Sequence, residues 1–136
     1  MSIFKDSQEL DTVMEQLWTK IRQDPEMSKP LLESKLIVTF HYRHPETKLT
    51  IDCSNGEDFH IITGENQVKP IIELFMKADI AHDFWLGKVN VPMALLSGKI
   101  VSKGPINKAL ALLPTVKPAF KLYPSIIKDL NIKTHP

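Results

Sequence analysis

The sequence contains a single cysteine, Cys53. One thiol excludes an internal disulfide and any zinc site built on cysteines. No stretch approaches the ~18 consecutive apolar residues of a membrane-spanning helix, and the first residues do not form a basic segment followed by an apolar one. We therefore expect a soluble, cytoplasmic protein.

Signatures of common enzyme classes are also missing. The sequence has neither a glycine-rich phosphate-binding loop nor the turn that carries a nucleophilic serine. Residues 86–136 contain no arginine and no regularly interleaved aromatic residues, which nucleic-acid-binding proteins use to contact phosphates and bases. The sequence predicts a non-catalytic protein that needs no cofactor and binds no nucleic acid.

The composition is that of one globular domain. The 136 residues are 43% hydrophobic and 24% charged, and a chain of this length buries enough surface to form an ordinary core. We predict a single domain over residues 1–136.

Charge is divided unevenly along the chain. Residues 1–85 hold nine Lys or Arg against fifteen Asp or Glu, whereas residues 86–136 hold eight Lys against one acid, Asp129. Such asymmetry suggests that one part of the molecule meets an anionic partner, for example a membrane surface or the phosphates of a ligand. The alternative is a set of solvated lysines on exposed helix faces.

An amphipathic helix is predicted over residues 7–23. Asp6, with Glu9 three residues on, is typical of a helix N-terminus, and Pro25 is expected to end the helix. Its apolar residues follow at helical spacing: Leu10, Val13, Met14, Leu17 and Ile21. A short helical turn entered at Pro30 is expected over residues 28–34.

Three segments of alternating apolar residues predict an antiparallel meander. The residues that share its apolar face are Leu36, Val38, Phe40 and Tyr42, then Leu49, Ile51 and Cys53, then Phe59, Ile61 and Thr63. A four-residue turn at 44–47 places Tyr42 opposite Leu49 and Val38 opposite Cys53. A five-residue turn at 54–58 places Ile51 opposite Ile61. This register gathers the apolar side chains on one face, and a slip of one residue would destroy it.

Short strands and short helices are predicted for the rest of the chain. Strands are expected over 72–78 and 99–103, with helices over 79–86, 90–98 and from Pro105 onward. Asp79 and Asn90 are the expected helix caps, and Gly87 is expected to close the first of these helices. Pro114, Pro118 and Pro124 are expected to break the following segment, leaving a last short helix over 124–131. These elements predict an α+β fold, in which a five-stranded, mostly antiparallel sheet has helices packed on one face.

The stretch 74–113 resembles the sterol carrier protein, or non-specific lipid transfer protein, family. The matching residues are Leu74 and Met76, Gly87-Lys88, Asn90, Ala94-Leu95-Leu96, Gly98-Lys99-Ile100, Gly104, and Ala109 with Leu112. Over the whole chain the predicted order of helices and strands is similar to that of the family. Ser102, Pro105 and Lys108 depart from its pattern, so an apolar, lipid-like ligand is expected rather than a sterol in particular.

The resemblance implies a hydrophobic tunnel between the sheet and the C-terminal helices that binds fatty acids, fatty-acyl-CoA, sterol-like or quinone-like lipids. A cavity of about 300 Å³ or more is typical of small-molecule sites. We expect its wall to contain Leu74, Met76, Phe84, Trp85, Met93, Leu96, Leu110 and Leu113, and a proline-broken lid to contain Phe120, Tyr123 and Ile127. The lysines expected to attract an anionic headgroup or membrane are Lys88, Lys99, Lys103, Lys108, Lys117 and Lys121.

Three alternatives stay open. Because some family members assist quinone-lipid biosynthesis, the same apolar groove could serve an accessory subunit that holds a partner enzyme. On the other sheet face the predicted register places Asp52 opposite His60 with His41 diagonal to it, a set that could bind Fe(II) or Zn(II). Asp79 and His82, three residues apart on a helix, are interpreted as cap and surface residues, with acid–base chemistry as the alternative.

Overall fold

The computed structural model describes residues 3–132. It contains a five-stranded sheet with helices packed on one face. The strands are β1 (Ile37–Arg43), β2 (Thr47–Asp52), β3 (His60–Thr63), β4 (Ile72–Lys77) and β5 (Ile100–Lys103). The helices are α1 (Ser7–Gln23), α2 (Pro25–Ser34), α3 (Ala78–Trp85), α4 (Val91–Leu96), α5 (Ile106–Leu110), α6 (Leu113–Val116) and α7 (Ala119–Asp129). The predicted α+β class is confirmed.

The sheet has the order β3-β2-β1-β4-β5. Three of its strand pairs are antiparallel, and the central pair, β1 with β4, is parallel. The long connection from β3 back to β4 runs through residues 64–71, so β4 enters beside β1 in the same direction. The sheet is therefore mixed but mostly antiparallel, as predicted.

The two hairpins of the meander differ in how well they were predicted. In the second, Ile51 pairs with Ile61 and Asp52 with His60, which confirms the predicted register. In the first, Phe40 pairs with Leu49 and Tyr42 with Thr47, so each residue of β1 faces a partner two positions earlier than predicted. The connection between the strands has three residues, 44–46, instead of the predicted four, 44–47, and Arg43 still belongs to β1, where it pairs with Lys77 of β4.

The first helix is confirmed with the predicted bounds. The Asp6 side chain accepts a hydrogen bond from the Glu9 backbone N–H at 2.8 Å, and the Glu9 carboxylate accepts one from the backbone N–H of Lys5 at 2.9 Å. The prediction for the next segment was wrong in extent, because α2 begins at Pro25, not near residue 28. Proline suits a first helical position, so Pro25 ends one helix by starting another.

Two further predictions in the C-terminal half are corrected. Helix α3 begins at Ala78 without a side-chain cap, and the Asp79 carboxylate instead accepts a hydrogen bond from the Ile3 backbone N–H at 2.9 Å. Helix α7 runs unbroken through Pro124, whereas a helix starting at Pro124 was expected. Asn90 caps α4 as predicted, with its side chain accepting from the Met93 backbone N–H at 3.1 Å.

The core lies between the sheet and the helices, and it combines the buried face of α1 with the inward residues of the strands. Among residues 3–132, no helix combines the length and apolar character that crossing a bilayer requires.

Candidate functional site

An apolar cavity lies between the inner face of the sheet and the helices. Its volume is about 140 Å³. Strands β1, β2, β4 and β5 form its floor, and residues of every helix except α7 contribute to its walls and cover. Among the described residues 3–132, no side chain that lines it is normally charged at neutral pH. The cavity is therefore suited to an uncharged, apolar molecule.

Several residues expected at the tunnel wall line this cavity. They are Leu74 and Met76 from β4, Phe84 and Trp85 from α3, Leu110 from α5, and Leu113 from α6. Their contact with a ligand stays a prediction.

Many lining residues were not singled out from the sequence. They include Val38, Phe40 and Ile51 from the strands, Trp18 from α1, Leu31 from α2, Val91 and Leu95 from α4, and Ala109 from α5. The strand residues carried a usable signal, because their alternation already placed them on the inner face. Trp18 follows Met14 by four residues on the buried face of α1, a spacing that indicates burial without indicating a cavity.

Aromatic rings organise the helical side of the cavity. Trp18 meets Trp85 edge to face, with ring centroids 5.7 Å apart. Phe84 and Trp85 both contact Phe120 of α7, at 5.4 and 6.1 Å. Edge-to-face pairs of this kind fix ring positions as well as burying area. The aromatic contacts thus link α1, α3 and α7 behind the cavity wall.

Several known structures share the fold of this chain. The sterol carrier protein 2 of Yarrowia lipolytica in its apo form aligns over 89% of this chain and 93% of its own, with a TM-score of 0.61 and 19% identity. The sterol carrier protein domain 2 of Helicoverpa armigera aligns over 81% and 89%, with a TM-score of 0.62 and 21% identity. A UbiJ-SCP2 ubiquinone synthesis protein aligns over 77% and 85%, with a TM-score of 0.60 and 15% identity.

This chain has the sterol carrier protein fold. No family model matches its sequence, and no curated protein matches it either. The fold agrees with the one implied by the resemblance of residues 74–113.

Within this sterol carrier protein fold, two residues expected at the tunnel wall lie outside the cavity. Met93 is 58% exposed and Leu96 is 82% exposed. Both lie on the outer side of α4, whereas Val91, Ala94 and Leu95 face inward. The segment VPMALL is apolar almost throughout, so its periodicity did not distinguish the two sides.

The three residues assigned to a lid also lie outside the cavity lining. Phe120 packs on Phe84 and Trp85, Tyr123 is fully buried, and Ile127 packs at the edge of the core. Helix α7 is a second layer behind the wall. The cavity is covered instead by α5 and α6, residues 106–116, which we call the covering helices.

The six lysines expected to attract anions are all exposed. None of them forms an ion pair with another residue in the described range 3–132. Lys88 and Lys99 flank α4 in the sequence, just before and just after the exposed Met93 and Leu96. Lys103 lies apart from them on the outer sheet face, with Nζ 5.2 Å from the centre of the Phe75 ring.

The proposed metal ligands His41, Asp52 and His60 do not come together. Asp52 does face His60. On the other side Asp52 pairs with Ile37 of β1, and His41 lies four positions further along that strand, where it pairs with Lys48. Four strand positions correspond to about 13 Å. His41 instead contacts the Glu73 carboxylate at 2.9 Å and stacks on Phe75 at 4.3 Å. Among residues 3–132, no group of three or more His, Cys, Asp or Glu side chains could hold a metal ion.

His82 is a core residue, which corrects its interpretation as a surface residue. Its Nδ1 lies 2.7 Å from the Tyr123 hydroxyl, and its ring meets Phe4 edge to face at 5.8 Å. Burial lowers the pKa of His82 against the opposing effect of the Asp83 and Asp79 carboxylates. A neutral imidazole enclosed in this way has no access to a substrate in the cavity, because His82 is not among the lining residues.

Cys53 lies in the cavity floor and faces the core, as predicted. Burial, with a smaller contribution from the Asp52 carboxylate, raises the pKa of its thiol to about 12. The protonated thiol is a weak nucleophile and behaves as a small apolar group.

Proposed function

We propose that this protein binds an apolar lipid in its cavity and carries it without chemical change. The observation that supports this is an apolar cavity between the sheet and the helices, which no charged side chain of residues 3–132 lines. Catalysis would require positioned acids, bases or nucleophiles, and the one thiol in the lining is protonated at neutral pH.

The size of the cavity indicates how a ligand enters. A cavity of about 140 Å³ is comparable to one that binds benzene, so an acyl chain requires the cavity to widen. Leaving this volume empty costs about 3 kcal/mol, which favours occupancy. The covering helices are the segment suited to move, because α5 has no buried residue and α6 has only Val116.

A cavity-filling substitution tests this function. Ala109 lines the cavity, whereas Ala111, two residues further on, is exposed. Ala109→Phe is expected to reduce binding of a fluorescent fatty acid at least tenfold, and Ala111→Phe to leave it unchanged. Mass spectrometry of an organic extract should find a lipid bound to the wild type and less of it bound to A109F. The absence of a copurifying lipid, together with no uptake on addition, would reject the carrier function.

The cytoplasmic face of an anionic membrane is the proposed place of exchange. Met93 and Leu96 extend from α4 beside the cavity, and the exposed Lys88 and Lys99 flank them. Apolar side chains can enter the headgroup region while lysines meet anionic lipids, each adding about 1 kcal/mol near the surface.

An accessory role in quinone synthesis is the second candidate. The observation that favours it is the shared fold with a UbiJ-SCP2 ubiquinone synthesis protein. The two functions predict different lipids in an organic extract of the purified protein. A prenylated quinone precursor would support the accessory role, whereas mixed fatty acids would support the general carrier.

A further inference from the structure

Trp18 holds a buried hydrogen-bond donor for which the described residues provide no acceptor. Its side chain is 5% exposed and forms part of the cavity wall. Among the fully buried side-chain nitrogen and oxygen atoms of residues 3–132, Nε1 of Trp18 is the one that has no hydrogen-bond partner. Buried donors are normally paired, and an unpaired one loses the hydrogen bond that water provides in the unfolded chain.

The surroundings of Trp18 hold the ring in place. Trp85, Phe40 and Phe59 surround it with centroid distances of 5.7, 5.9 and 6.2 Å. The perpendicular contact with Trp85 could direct an N–H toward an aromatic face, but such an interaction is weaker than a bond to oxygen. An oxygen acceptor would therefore have to come from a molecule bound in the cavity, and it reaches Nε1 only where the cavity widens beside the Trp18 ring, because this atom is fully buried in the closed structure.

The cavity lining restricts the kind of oxygen that fits. Within the described part of the chain, no lysine, arginine or histidine lines the cavity to balance a negative charge. Burying an unpaired carboxylate is far more costly than burying a neutral carbonyl. A fatty-acid headgroup would therefore lie outside, among the exposed lysines. A ketone, ester, ether or quinone oxygen can enter.

We infer that Trp18 is a ligand-binding residue whose Nε1–H donates a hydrogen bond to a neutral oxygen of the bound molecule. The site accordingly prefers an apolar molecule with an uncharged acceptor over a pure hydrocarbon of the same shape. This inference rests on the proposed lipid-binding function and specifies its ligand class.

Two probes of nearly equal shape test the inference. Acetophenone carries a carbonyl where α-methylstyrene carries a methylene, and both are small enough for a cavity of this size. Binding of each is measured to the wild type, to Trp18→Phe and to Trp85→Phe. Trp85→Phe is the matched control, because it removes an indole from the same cavity and keeps the Trp18 N–H.

Trp18→Phe is expected to weaken the binding of acetophenone about tenfold more than the binding of α-methylstyrene. Trp85→Phe should change both affinities by the same factor. In the wild-type protein, ¹⁵N–¹H spectra contain indole signals from the only two tryptophans, Trp18 and Trp85. The Trp18 indole proton should move downfield with acetophenone and not with α-methylstyrene, a readout that does not depend on the variant folding.

Equal weakening of both probes, with the same Trp18 indole shift for each, would overturn the role of Trp18 and leave lipid binding intact. If neither probe binds and no lipid binds, the proposed function itself is rejected. The two failures are therefore distinguishable.

Discussion

The hydroxyl of Tyr123 lies 2.7 Å from Nδ1 of His82. Both side chains are buried, and the bond connects α7 to the helix that supplies Phe84 and Trp85 to the cavity wall. Burial raises the pKa of the Tyr123 hydroxyl well above its ordinary value, so it stays protonated. This polar contact therefore helps to hold the second layer of helices against the first.

Tyr123→Phe should lower the free energy of unfolding by about 1–3 kcal/mol. The change removes the hydroxyl and leaves His82 Nδ1 buried without its partner. Urea unfolding at pH 7.5 measures the loss. Replacing both partners removes the unpaired group, so His82→Leu added to Tyr123→Phe should cost less than the sum of the two single changes. A fully additive pair would contradict an energetic role for the bond.

Stability should fall as the solution is acidified from pH 7 to pH 5. The pKa of His82 is lowered from its ordinary value of 6.5, mainly by burial, so the unfolded chain binds a proton more readily than the folded one. The contribution of neutral His82 is complete above pH 6.5 and is lost as the pH falls from there through the lowered pKa. Thermal unfolding of the wild type and of His82→Leu between pH 7 and pH 5 measures this loss, and the stability of the variant should depend less on pH. Parallel profiles would contradict it.

The strand faces could be predicted from the sequence, but the pairing of the first hairpin could not. Moving every partner by two positions keeps the same residues on the inner face, so alternation does not distinguish the two registers. The observed turn is anchored by contacts to α1, where Thr47 donates to the Asp11 carboxylate at 2.6 Å and Ser7 to the Glu46 carbonyl at 2.6 Å. Such contacts between distant residues are not visible in a local pattern.

The C-terminal helices show how packing overrides a local signal. Proline removes a helical hydrogen bond, so Pro124 predicted a break. The helix continues because Tyr123 and Ile126 on either side of it are buried, while Pro124 itself is exposed. Likewise, Leu95 lines the cavity and Leu96 does not, because α4 packs on the core through the small, buried Ala94. The sequence does not indicate this orientation, because the residues on both sides of Ala94 are apolar too.

Gly104→Ala should destabilise the protein more than Gly64→Ala. Both glycines have positive φ, +95° and +83°, which disfavours any side chain by about 1–2 kcal/mol. At Gly104 an added Cβ would also overlap the backbone carbonyl of Ile71, whereas at Gly64 no atom of residues 3–132 lies within 4 Å of the added Cβ. Chemical unfolding of the two variants should separate the effect of positive φ from the effect of the overlap with Ile71. Equal losses would contradict the overlap.

Leu96→Glu should slow lipid transfer to anionic vesicles by about tenfold or more. The substitution removes an apolar group that is 82% exposed on α4 and adds a charge that anionic lipids repel. Uptake of a detergent-solubilised fatty acid should not change, because Leu96 does not line the cavity. Val101→Glu is the matched control, since Val101 is 49% exposed on the sheet face away from the helices. A similar slowing by both variants would contradict a docking role for α4.

Cys53 should report on occupancy of the cavity. The thiol lines the floor, and its pKa is raised to about 12, so at pH 8 a thiol reagent should label it at least about a hundredfold more slowly than the unfolded chain. Labelling therefore requires the cavity to open. A bound lipid blocks access to the floor and stabilises the closed protein, so a saturating fatty acid should slow labelling further. Ala109→Phe, which fills the cavity, should label slowly in both conditions and respond little to the lipid. Labelling of the wild type that is independent of lipid would place the ligand away from Cys53 and therefore outside this cavity.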